Sequence, residues 1–87
     1  MEHLPKGWTQ VSKNGVDILT QKFIFNDFQE AMSFALRIGE AADEADHHPQ
    51  IVVNWGWVQV DWWSHDAQGV TARDISLAQK TSQLYST

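Results

Sequence analysis

The stretch Asp43-Glu44-Ala45-Asp46-His47-His48-Pro49-Gln50 sets two adjacent histidines after three acids and directly before a proline, in a chain with only four histidines. A neutral imidazole accepts a proton, an imidazolium donates one, and both states are reachable near pH 7. If His47 and His48 were drawn into one cleft with His65, the group would make an acid/base site. The same residue types ligate metals. Adjacent histidines cannot share one helical face as an i, i+4 pair does. A site made from one of them with His65 and an acid is conceivable, but no supporting pattern surrounds it, so no metal is assigned. A third reading is structural, since imidazoles at a helix C-terminus sit favourably against the last carbonyls and the negative end of the dipole. Asp74 has a structural account as well, as the third residue of a helix capped by Thr71.

Four strands and two helices must position these groups. Trp8 to Val11 and Val16 to Phe25 read as strands around Lys13-Asn14-Gly15, where Asn-Gly suits the positive φ of a tight hairpin. Asp27-Phe28-Gln29-Glu30 has the form of a capping box, with Asp27 accepting from first-turn amides and Glu30 reaching back. The helix it opens carries one apolar stripe of Phe28, Ala31, Met32, Ala35 and Ala42, and a second of Phe34, Ile38 and Ala41. That arc is wide enough for a sheet on one side and another surface on the other. Pro49 disfavours helix at His48, so the helix ends at or before the histidine pair.

Ile51 to Trp55 and Trp57 to Trp63 read as strands around Gly56. Val58, Val60 and Trp62 would face the core, and Trp57, Gln59, Asp61 and Trp63 a polar-aromatic surface. After the loop Asp66-Ala67-Gln68-Gly69, Thr71 caps a second helix with Ile75, Ala78 and Ser82 on one side and Leu77 and Leu84 nearby. The order ββαββα predicts an α+β domain of two layers, an antiparallel sheet with both helices on one face. A hairpin running from His48 to His65 would bring its free ends together at one edge of the sheet. The three histidines would meet there, with Trp63 and Trp55 as a flat apolar wall for a planar, polar heterocycle.

Composition narrows the classes. Eighty-seven residues are read as a single domain, 1–87. Without cysteine there is no disulfide, thiolate zinc site or cysteine nucleophile. Six basic against eleven acidic residues, a net charge of −5, argue against direct nucleic-acid binding. The longest uncharged run is too short to span a bilayer, and MEHLPKGW lacks the basic-then-apolar order of a signal peptide. A soluble, cytoplasmic protein is expected, with no membrane partner. Five tryptophans exceed what so small a core can hide, so an exposed aromatic surface for a ligand or another subunit is expected.

An acid, three positions, His-His-Pro, five positions, an aromatic, nine positions, a histidine, eight positions and an aspartate is spelled here by Asp43, His47-His48-Pro49, Trp55, His65 and Asp74. Phe23-Ile24-Phe25-Asn26-Asp27-Phe28 stands upstream, and His65-Asp66, Gly69-Val70-Thr71 and Asp74-Ile75 complete the pattern. On these residues the chain resembles the pterin-4a-carbinolamine dehydratases, from about Trp8 to the last helix. The resemblance implies the ββαββα fold and assembly as a homodimer or homotetramer. It also implies a reaction without metal or organic cofactor. A 4a-hydroxytetrahydropterin, of the 4a-hydroxytetrahydrobiopterin type, would lose water to give the quinonoid dihydropterin, recycling tetrahydrobiopterin after aromatic amino-acid hydroxylation. By the same resemblance His47 and His65 would act at the C4a hydroxyl, and His48 would hold the pterin and take the N5 proton. Asp43 would orient the histidines, with Pro49, Trp55 and Asp74 as further substrate-binding or orienting positions.

The chain also departs from the family pattern. Asp43 stands where Glu is common, one methylene shorter, and Glu44 as its substitute would leave the helix about 100° further round. No cysteine follows His65-Asp66 as in some animal members, and the N-terminal helix of longer members is not expected. Two other readings stay open. One is a non-catalytic role as a dimerisation cofactor for a transcription factor, as some family members have; the other is service to a different pterin, such as a molybdenum-cofactor precursor. A pure scaffold has no physical need of all three histidines.

Overall fold

The computed structural model describes residues 4–86; Met1, Glu2 and His3 of the N-terminal MEHLPKGW stretch, and Thr87, lie outside them. The elements are β1 (Thr9–Lys13), β2 (Val16–Ile24), α1 (Phe28–Ala45), β3 (Gln50–Asn54), β4 (Trp57–Trp62) and α2 (Ala72–Ser86). The strands form one antiparallel sheet in the order β1-β2-β4-β3. Helix α1 lies over β3 and β4, and α2 over β2 and β4. The α+β reading holds, with strand ends moved by a residue or two. Trp8 falls just outside β1, where its buried ring packs edge-on against Phe23 and its Nε1 donates to Ser82 Oγ at 2.9 Å.

Two tight turns set the register. Asn14 (φ 54°) and Gly15 (φ 82°) join β1 to β2 in the left-handed region that a two-residue hairpin requires. Trp55 and Gly56 (φ 86°) join β3 to β4, and the Gly56 carbonyl accepts from Phe25 N at 2.8 Å, which ties that hairpin to the end of β2. On β4 the alternation works as expected, with Val58, Val60 and Trp62 fully buried against Leu19, Phe23 and the helices. The opposite face is more closed than expected at Asp61. That residue is buried where Thr20 Oγ1 donates to its Oδ1 at 2.5 Å.

Helix α1 buries Ala31, Phe34, Ile38 and Ala42, a single i, i+3, i+7, i+11 line drawn from both sequence stripes. Phe28 and Met32 therefore stay exposed, with Leu36 beside them. Asp27 caps the helix by accepting from Glu30 N at 2.8 Å, while Glu30 Oε1 receives the N–H of Asn26, one residue earlier than a standard box. At the other end Asp46 turns left-handed (φ 52°, ψ 43°). Its N–H donates to the Asp43 carbonyl, and that of His47 to the Ala42 carbonyl, a Schellman closure made without glycine. No helix among the described residues is long and apolar enough to cross a membrane.

Candidate active site

The closure at Asp46 sends the two histidines apart. His47 turns under the helix end into the molecule, 7% exposed, its ring stacked on Trp62 at 5.9 Å and 14°. His48, which the following Pro49 keeps out of the helix, stays exposed. His65 arrives from β4. It starts a turn in which Gln68 N donates to the His65 carbonyl, and Ser64 and Gly69 exchange two backbone hydrogen bonds beneath it. As expected, the free ends of the β3–β4 hairpin lie together. Asp46, His47, His48, His65 and Asp66 line one open pocket of about 440 Å³.

Each of the paired histidines has its own carboxylate. His47 Nε2 lies 2.6 Å from Asp74 Oδ1, and both groups are buried. Asp74 Oδ2 accepts from Ser64 Oγ at 2.7 Å and from Thr71 N at 2.8 Å. The Thr71 hydroxyl lies 2.9 Å from Ser64 Oγ. Ser64 and Thr71 donate to Asp74, and a carboxylate oxygen accepts, so Nε2 is the ring nitrogen of His47 that donates to Oδ1. Burying this carboxylate is tolerable because both oxygens are satisfied. His48 Nε2 donates to Asp43 Oδ1 at 2.9 Å, a largely exposed pair that orients more than it stabilises.

Asp43 pairs with His48 alone, and Asp74 with His47. The capping account of Asp74 is correct but uses only Oδ2, and Oδ1 is committed to the imidazole. Glu44 does not replace Asp43, because the helix turns it toward a depression beside Ala41, Leu77 and Lys80. Trp55 is not part of a wall beside the histidines. It occupies the β3–β4 turn, 70% exposed, and a hairpin keeps its turn at the end away from its free ends. Trp63 packs against His65, ring centroids 4.9 Å apart, but does not line the histidine pocket. Among the described residues no three His, Asp or Glu side chains are grouped to hold a metal ion.

Ser64 is a site residue that the sequence reading passes over, although it carries a signal. It continues the inward series Val58, Val60, Trp62 by the period of two, and a fully buried serine must bond to something. Asp46 and Asp66, whose places in the pocket come from a left-handed helix end and a turn, have no such periodic signal.

The chain matches the family model described as pterin 4 alpha carbinolamine dehydratase over residues 1–84. A relative from Chlorobium luteolum, provisionally named a pterin-4-alpha-carbinolamine dehydratase, is 40% identical over 98% of this chain and 74% of its own length. One from Saccharophagus degradans, provisionally named likewise, is 38% identical over 98% of this chain and 74% of its own. A solved structure from Brucella melitensis, described as a transcriptional coactivator/pterin dehydratase, superposes with a TM-score of 0.82 at 31% identity, over 92% of this chain and 83% of that one. A pterin dehydratase-like protein described as a RuBisCO assembly factor in the α-carboxysome shares the fold, with a TM-score of 0.76 at 17% identity over 98% and 96% of the two chains. With the fold, the histidine pocket and a family model spanning nearly its whole length in agreement, the chain belongs to the pterin 4 alpha carbinolamine dehydratase family.

Proposed function

We propose that this protein is a dehydratase converting a 4a-hydroxytetrahydropterin to the quinonoid dihydropterin and water. The observation that carries the proposal is the meeting of His47, His48 and His65 around one pocket, with His47 and His48 each backed by a carboxylate. In the reaction the C4a–O bond breaks and the N5 lone pair forms the C4a=N5 bond. One proton goes to the departing hydroxyl and one leaves N5, so the elimination is balanced by water alone. His47 suits the acid step, because Asp74 stabilises the imidazolium that Nδ1 protonation makes. His65, exposed at the turn, shares the work at the C4a hydroxyl. His48, steadied by Asp43, holds the pterin and receives the N5 proton. Assistance of this kind contributes roughly 10²–10⁴-fold.

The working form we propose is a homo-oligomer. Phe28, Met32 and Leu36 recur at every fourth position along the outer side of α1, and all three are exposed. A protein-binding role is the second reading. It draws on the same stripe and on the coactivator description of the Brucella melitensis protein.

The test is stopped-flow decay of freshly generated 4a-hydroxytetrahydropterin, followed by ultraviolet absorbance with EDTA present. Wild-type protein is expected to accelerate it. His47→Ala and His65→Ala are each expected to lower the rate by about 10²-fold with the circular dichroism unchanged. Folded wild type without acceleration, or both variants as active as the parent, would reject the mechanism.

A further inference from the structure

A second cleft, of about 290 Å³, opens on the helix-free face of the sheet and shares His65 with the histidine pocket. Its floor is apolar, made by Val16, Ile18 and the half-buried Trp63. Its rim is polar. Lys13 and Asn14 come from the β1–β2 turn, and Gln50 from the start of β3. None of these three side chains has a hydrogen bond or ion pair to another described residue, so their donors are available to a ligand. No carboxylate lines the cleft, although the chain is strongly acidic; Asp46 and Asp66 line the histidine pocket instead. Asp61, on the same sheet face, is buried and bonded to Thr20, so it does not compete for Lys13.

The bonding of the substrate supplies the direction. In a pterin, C6 adjoins N5 and N5 adjoins C4a, so a C6 substituent leaves the ring at the edge where the proton and hydroxyl depart. With that edge at His65, the adjoining cleft lies within reach of the substituent. Resting on the dehydratase reading, we infer that this cleft is the subsite for the C6 substituent and that Lys13 selects substrates whose substituent carries an anionic group. A flexible ammonium flanked by amide donors suits a phosphate or carboxylate, and the apolar floor accepts the connecting carbons.

The test pairs two substrates differing only in a terminal phosphate, the 4a-hydroxy derivatives of 6-hydroxymethyltetrahydropterin and of its phosphate ester. Wild-type kcat/KM is expected to favour the phosphate ester by about fivefold to tenfold, with Lys13→Met reducing that ratio to near one. Asn14→Gly, which keeps the left-handed turn while removing the amide, is expected to lower the ratio by about twofold. Equal use of the two substrates by wild type, or an unchanged ratio in Lys13→Met, would overturn the inference. If neither substrate were accelerated, the dehydratase reading would fall on its own. Calorimetry with the two corresponding oxidised pterins would then decide the cleft. Tighter binding of the phosphate ester, lost in Lys13→Met, supports it; equal affinity rejects it.

Discussion

Asp74 has one oxygen in the cap of α2 and the other on His47, so the same carboxylate secures a helix and selects a tautomer. That double use makes it a positioning residue whose loss shows in two separable ways. Asp74→Asn keeps the shape but offers an NH₂ where a donor already stands. It is expected to destabilise the fold by about 1–3 kcal/mol and to lower the dehydration rate tenfold or more, on the order of a lost acid/base contribution. Thermal unfolding measures the first. The second is tied to the imidazole by nitrogen-15 NMR, where wild-type His47 is expected to carry its proton on Nε2 and the variant to lose that preference. A variant that merely unfolds more easily would leave the tautomer unchanged.

At the scale of elements, the end of α1 decides where the histidines go. A left-handed residue costs an L-amino acid about 1 kcal/mol or more, and Asp tolerates it better than most. Asp46→Gly is therefore expected to raise stability by about 0.5–1 kcal/mol, and Asp46→Val to lower it by about 1–3 kcal/mol, in denaturant melts. Both substitutions giving the same midpoint would mean that this turn does not limit stability. The end of β4 and the residues just after it contribute by alternation: Trp62 and Ser64 face the core, Trp63 and His65 the clefts. Trp62 is fixed in turn by donating Nε1 to Thr81 Oγ1 at 3.1 Å.

Across the whole molecule, one sheet face is covered by helices and the histidine pocket sits at an edge. The outer stripe of α1 is left over, with Leu36 at 66% exposure. Leu36→Glu places a charge in that stripe and is expected to lower the assembled mass seen by light scattering without altering the circular dichroism. An unchanged mass, or a wild-type protein that is already monomeric, would reject the α1 stripe as an assembly face.

Much of this architecture is legible in the order of residues. Period-two and helical patterns, the Asn-Gly turn, the Asp27 cap and the proline stop are local, governed by steric and hydrogen-bonding rules acting within a few residues, and they yield the ββαββα order. The convergence of His47, His48 and His65 also follows, because a hairpin must bring its ends together. The pairing of carboxylates with histidines does not follow. Asp43 and Asp74 lie four and twenty-seven residues from His47, and only the left-handed turn at Asp46 and the docking of α2 decide which one the ring meets. Nor can strand patterns rank the stripes of α1, since the core takes whichever line of side chains the sheet's twist presents to it. Sequence alone determined the elements and the chemistry available; tertiary packing decided which acid serves which imidazole, because burial and direction are properties of contacts between distant segments.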